Sequence, residues 1–115
     1  MSKSFNDITK HVAGNMAKLR KSIPETSKAF SELATSAYAE GVLDKKTKEL
    51  IALALGVGSR CDACIGFHIK SLVQLGATEQ EVAETLGVCV AMGGGPSMMY
   101  AAEAIAAFKE FSKEA

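Results

Sequence analysis

The stretch ELIALALGVGSRCDACIGFH, residues 49–68, decides the fold because it predicts two helices joined by a short turn. Residues 50–57 are apolar throughout, and a helix that is apolar on every side is expected to be buried. Gly56 and Gly58 indicate where this helix ends, and Ser59 is predicted to cap the helix that follows. Since so few residues join them, the two helices are expected to pack side by side as an antiparallel hairpin.

Three side chains that can carry chemistry share one face of the second of these helices: Cys61, Cys64 and His68. At 100° per residue they fall within about 60° of one another around the helix axis. If the turn is centred between residues 58 and 59, residues equidistant from it lie side by side. Glu49, at the edge of the apolar run, is then expected opposite His68.

These four residues together suit a proton relay that serves a thiol. A cysteine attacks as the thiolate, and a free thiol with a pKa near about 8.5 is mostly protonated at neutral pH. His68, one turn from Cys64, can take that proton, and Glu49 can orient the imidazole. After either Cys61 or Cys64 is oxidised to a sulfenic acid, the other cysteine can condense with it to form a disulfide. A reductant can then reopen this bond.

The same residues leave two other interpretations open. Cys61, Cys64 and His68 could hold zinc with Glu49 as the fourth ligand, although three ligands on one continuous helix make a poor tetrahedral cage. Alternatively, the cysteines of a small helical protein could report oxidation without turnover. This redox-sensing interpretation shares the disulfide with the enzymatic one and differs from it only in rate.

The rest of the chain predicts helices and no strand. Aromatic residues make up 6% of the chain and Trp is absent, which favours packed helices over a sheet. Asp44 is expected to cap the third helix, Thr78 with Glu81 forms a capping box for the fifth, and Gly93–Pro96 breaks the chain before the last. The predicted helices cover about residues 5–19, 24–40, 45–57, 60–75, 79–92 and 97–112.

We therefore predict an all-α chain with residues 1–115 in a single domain. The expected architecture is a compact six-helix bundle of orthogonal and antiparallel helices, with the Cys-x-x-Cys pair at the N-terminus of a central helix. The second helix is expected to turn Phe30, Leu33 and Tyr38 inward, and the last helix to bury Met98.

Charge and cysteine usage exclude several classes of function. Thirteen basic and 13 acidic residues give a formal net charge of zero without a basic stripe, so no nucleic-acid partner is expected. Residues 1–7 lack the apolar core of a signal peptide, and no apolar run reaches the roughly 20 residues that cross a membrane. We expect a cytoplasmic protein, in which a Cys-x-x-Cys pair is catalytic or metal-binding and Cys89 is a small buried hydrophobe.

The pattern Glu49-x₁₁-Cys61-x₂-Cys64-x₃-His68, in an all-helical chain with a later Gly93–Pro96 turn, resembles the alkylhydroperoxidase D-like branch of the carboxymuconolactone decarboxylase family. The resemblance implies that Cys64 is the peroxide-reactive thiol, which forms the sulfenic acid. Cys61 would be the resolving thiol and proton donor, in a Cys61–Cys64 disulfide. Glu49 and His68 would form the proton relay through a bridging water.

The resemblance also implies a reaction, its partners and an assembly. It implies a thiol-dependent peroxidase of the alkyl hydroperoxide reductase type, or a related disulfide oxidoreductase, without cofactor or metal. The substrate would be a hydroperoxide, the reductant an external dithiol or thioredoxin-like protein, and the assembly a trimer or hexamer. Well-studied peroxidases of the branch carry a histidine where this chain has Ala63. A carboxymuconolactone decarboxylase is the alternative, but that branch does not rely on a Cys-x-x-Cys pair.

Overall fold

The computed structural model describes residues 3–115, which form six α-helices and no strand. Met1 and Ser2, which belong to the stretch where no signal-peptide core is expected, lie outside the described residues. The predicted all-α, six-helix class is confirmed. No helix in the described part is both long and apolar enough to cross a membrane. The helices are α1 Phe5–Ser22, α2 Pro24–Tyr38, α3 Lys45–Gly58, α4 Asp62–Gln74, α5 Glu79–Gly93 and α6 Gly95–Glu114.

The central helix of the fold is α4, which packs against α1, α3 and α6. Its Ile65, Ile69 and Leu72 are fully buried. Gly66 allows α1 to approach closely, because a Cβ atom there would lie 2.6 Å from the Cγ2 atom of Thr9. The Cys-x-x-Cys pair therefore lies at the start of this central helix, as predicted.

The turn between α3 and α4 closes with the hydrogen bonds of a Schellman motif. The N–H of Arg60 donates to the carbonyl of Val57 at 3.1 Å, and the N–H of Cys61 donates to that of Gly56 at 3.0 Å. The prediction that Ser59 caps α4 is wrong. Ser59 lies in helical conformation at the end of α3, and Cys61 is the N-cap of α4.

The other two helix-capping predictions, for Asp44 and for Thr78 with Glu81, are confirmed. The Asp44 carboxylate accepts from the N–H of Thr47 at 2.7 Å, and Thr78 and Glu81 form both hydrogen bonds of a capping box. Gly94 has a φ of 72° and separates α5 from α6, which begins two residues earlier than predicted. Similarly, α2 ends at Tyr38 rather than near residue 40, because Ala39 adopts an extended conformation.

Burial of the apolar faces differs from the prediction. No residue of α2 is buried, and Phe30 and Leu33, predicted to face inward, are 66% and 64% exposed. The outer side of α3 leaves Leu55 67% exposed, and Met98 on α6 is half-exposed. The helical periodicity identifies these faces correctly as apolar, but no helix within residues 3–115 covers them.

Candidate active site

The α3–α4 hairpin brings Glu49 and His68 into direct contact. The Nδ1 atom of His68 lies 2.7 Å from Oε1 of Glu49, and both side chains are largely buried. A carboxylate accepts hydrogen bonds, so Nδ1 is the donor in this pair. In a neutral imidazole the other ring nitrogen, Nε2, is then left as a proton acceptor.

The two cysteines stand together at the start of α4. Cys61 and Cys64 are joined by a disulfide, with their Cα atoms 5.2 Å apart. The sulfur of Cys61 also accepts a hydrogen bond from the N–H of Cys64 at 3.2 Å, which makes it the N-cap of the helix. Gly56 lets α3 pack against this point, because a Cβ there would lie 3.3 Å from the Cβ of Cys64. The positive end of a helix dipole favours a thiolate at such a position.

An ion pair lies beside the two cysteines. Asp62, between the cysteines, forms an ion pair with Lys3 at 3.1 Å, and this hydrogen bond raises the pKa of Lys3. The other carboxylate oxygen of Asp62 is buried and has no hydrogen-bond partner within residues 3–115. The negative charge of Asp62 disfavours a thiolate, and Lys3 offsets part of that effect.

Tyr38 also belongs to the candidate site. The sequence predicts that it faces inward on the second helix but does not predict its contact with His68. Its ring packs against the imidazole of His68 with 5.7 Å between centroids and a tilt of 46°. Burial, reinforced by the charge of Glu49, raises the pKa of Tyr38, so its phenol stays protonated at neutral pH. No spacing along the chain links residue 38 to residue 68, so only the tertiary structure reveals this contact.

A cleft of about 250 Å³ opens beside the Glu49 carboxylate. His68 does not line the cleft and is connected to it through its hydrogen bond with Glu49. Its walls mix charged, polar and apolar groups. It is lined by Tyr38, Lys45, Glu49, Ser71, Gln74 and Leu75.

The third thiol lies apart from the disulfide, and metal-ligating groups do not cluster. Cys89 is a buried free cysteine whose sulfur lies 3.9 Å from the carbonyl oxygen of Ala54, and burial raises the pKa of its thiol. Its prediction as a small buried residue is confirmed. Within residues 3–115, no three His, Cys, Asp or Glu side chains are grouped so as to hold a metal ion. The zinc interpretation therefore gains no support from the geometry.

Comparison with known families and structures gives consistent matches. The sequence pattern of the carboxymuconolactone decarboxylase family matches residues 24–107. A solved protein of this family from Legionella pneumophila superimposes with a TM-score of 0.92 and 58% identity, over 94% of this chain and 96% of that one. A second, from Thermotoga maritima, has a TM-score of 0.77 and 30% identity, over 88% and 89% of the two chains. That protein is described as a candidate for involvement in antioxidative response.

Uncharacterised relatives extend the same similarity. A protein of Cupriavidus necator is 41% identical over 85 residues, which cover 74% of this chain and 75% of the relative. A protein encoded in the cox locus of Paracoccus denitrificans is 34% identical over 103 residues, which cover 84% and 93% of the two chains.

Proposed function

Because this chain belongs to the carboxymuconolactone decarboxylase family, we propose that it is a thiol-dependent peroxidase of the alkyl hydroperoxide reductase type, or a related disulfide oxidoreductase. The supporting observation is the hydrogen-bonded Glu49–His68 pair on the same short hairpin as the disulfide-forming Cys61 and Cys64. A disulfide-forming pair at this point favours redox chemistry over lactone decarboxylation.

In the proposed reaction, the relay first activates Cys64. With Nδ1–H held by the Glu49 carboxylate, Nε2 of His68 accepts the thiol proton through a bridging water. The Cys64 thiolate attacks the terminal oxygen of the hydroperoxide, and the O–O bond breaks. The leaving alkoxide takes a proton from Cys61 and departs as the alcohol, while Cys64 becomes a sulfenic acid.

The second half of the reaction forms the disulfide. The sulfur of Cys61 attacks the sulfenic sulfur, and the hydroxyl leaves as water after it takes the proton that His68 holds. The hydroperoxide has then been reduced by two electrons and the dithiol oxidised to the disulfide. An external dithiol or thioredoxin-like reductant restores both thiols by exchange, in keeping with the reducing cytoplasm that the sequence predicts.

The exposed apolar faces support the further proposal that the protein is a homo-oligomer, a trimer or hexamer. Phe30 and Leu33 on α2 and Met98 on α6 are half-exposed or more. Large apolar side chains left exposed on faces of a small protein mark interaction surfaces. Light scattering coupled to size-exclusion chromatography tests this assembly directly.

A stoichiometric peroxide pulse on the reduced protein tests the proposed chemistry. Mass spectrometry should find a Cys61–Cys64 disulfide in the wild type and a dimedone-trapped sulfenic acid on Cys64 in the Cys61→Ser variant. Cys64→Ser should abolish peroxide consumption, whereas Cys89→Ser, the matched control at the remaining thiol, should retain it. Full activity in Cys64→Ser, or a sulfenic acid on Cys61 alone, would contradict the proposal.

A further inference from the structure

A second groove lies between α3, α5 and the start of α6 and shares no lining residue with the cleft beside Glu49. Its volume is about 430 Å³, within the range of small-molecule sites. Its apolar wall is well exposed: Leu55 by 67%, Val88 by 64% and Met92 by 85%. The remaining lining residues are Ala54, Gly58, Arg60, Cys89, Gly93, Pro96 and Ser97.

Arg60 is the one charged residue that lines this groove. Its guanidinium makes no ion pair within residues 3–115. Its backbone has a φ of 57°, the left-handed conformation, which costs a non-glycine residue roughly 1–2 kcal/mol. The backbone hydrogen bonds of the turn need no side chain, so glycine would close the turn equally well. The arginine at this position is better explained by what its side chain binds.

Ser97 adds an unpartnered hydroxyl to the same groove. The residue is only 7% exposed, and its side chain makes no hydrogen bond to any of residues 3–115. Because its oxygen is reached by solvent from the open groove, the hydroxyl can bond to a ligand atom there without breaking a hydrogen bond within the described residues. Cys89 lies alongside with a pKa raised by burial, and its neutral thiol presents no charge that would repel an anion.

We propose that this groove binds a small amphipathic carboxylate, an organic acid with an apolar tail. The carboxylate pairs with the Arg60 guanidinium, whose planar fork matches it in two parallel hydrogen bonds. Ser97 donates a hydrogen bond to the ligand, and the tail lies along Leu55, Val88 and Met92. Arg60 directly precedes Cys61 in the sequence, so the residue that holds the carboxylate adjoins a cysteine of the disulfide. The proposal concerns binding alone and does not depend on the proposed peroxidase activity.

Calorimetric titration of the wild-type protein with sodium decanoate tests the proposal, with 1-decanol as the uncharged probe. We expect decanoate to bind once per chain. Arg60→Gly should weaken this binding at least about tenfold without lowering the stability of the fold, and Ser97→Ala should weaken it severalfold. Binding of 1-decanol should not change with the residue at position 60. Arg20→Gln is the matched control, because Arg20 lies in another apolar cleft, between α1 and α2.

Three outcomes would overturn the proposal. The first is the absence of decanoate binding at about 1 mM, the weak end of specific affinity. The second is an unchanged affinity in Arg60→Gly, or an equal loss in Arg20→Gln, since either would show that Arg60 does not hold the carboxylate. The third is dissociation of an oligomer as decanoate binds, because the natural occupant of the groove would then be a second copy of the chain.

Discussion

Two helices of this protein end in the same turn, built by the same backbone hydrogen bonds on different residues. At the end of α3, the two bonds that define the motif measure 3.1 and 3.0 Å, and at the end of α4 they also measure 3.1 and 3.0 Å. The left-handed position is Gly76 in the second turn, with a φ of 77°, and Arg60 in the first. Glycine adopts this conformation without strain, so the second turn is the one that local energetics favour.

The residue that follows explains why the first turn differs. Cys61 donates the last hydrogen bond of the turn that ends α3, and the same residue is the N-cap of α4. One residue therefore caps both helices. After the second turn, Ala77 completes the motif, and a separate residue, Thr78, caps α5. The first turn therefore fixes a cysteine against two helices, whereas the second only reverses the chain. In this molecule, the non-glycine residue with positive φ lies at the turn that precedes the Cys61–Cys64 disulfide.

The largest expected difference between the turns is in peroxide turnover. Cys61→Ser should reduce steady-state turnover with a dithiol reductant to the background rate, because the sulfenic acid on Cys64 loses its resolving partner. The fold should persist, since serine is a good N-cap residue. Ala77→Ser, at the equivalent position of the second turn, should leave turnover unchanged. Peroxide consumption followed beside circular dichroism would show both results. Equal losses of turnover in the two variants would indicate that Cys61→Ser acts by disturbing its turn and not by removing the resolving thiol.

The next effect concerns the pair of side chains that the first turn brings together across its hairpin. The first turn sets Glu49 beside His68, and Glu49→Gln should lower the rate of Cys64 oxidation about 100-fold, the usual contribution of a positioned acid–base group. Lys46→Met is the control on the same helix, because it removes only the partly exposed Lys46–Glu81 ion pair. It should change the rate little. Stopped-flow measurement of the single oxidation step separates this effect from reductant turnover. A rate for Glu49→Gln near that of the wild type would remove the carboxylate from the relay.

The contrast between the turns also separates what the sequence predicts from what it does not. The approach of Glu49 to His68 follows from a short connection between two helices, which fixes their register, so spacing alone predicts it. The capping box at Thr78 is equally local. The assignment of Ser59 as a cap fails because a polar residue after a glycine fits two positions, and only the left-handed Arg60 decides between them.

Contacts between residues distant in the chain could not be predicted from the sequence. The packing of Tyr38 on His68 and the shared groove of Arg60 and Ser97 depend on how separate helices cross, which periodicity does not encode. The exposure of Phe30 has a related cause. Periodicity shows that a face is apolar, but it does not show whether the same chain covers that face.

The smallest effect is on stability, and its sign should be opposite at the two turns. Gly76→Ala should lower the free energy of unfolding by about 1 kcal/mol, because the left-handed cost outweighs the entropy lost by the unfolded chain. A Cβ at Gly76 would meet no atom within 4 Å, so no clash contributes. Arg60→Gly should raise that free energy by about 0.5 kcal/mol, since relief of the strain exceeds the added entropy of an unfolded glycine. Urea unfolding of both variants in the disulfide state measures the pair. If Arg60→Gly were destabilising, the arginine side chain would be stabilising its own turn, and strain at residue 60 would no longer argue for a ligand.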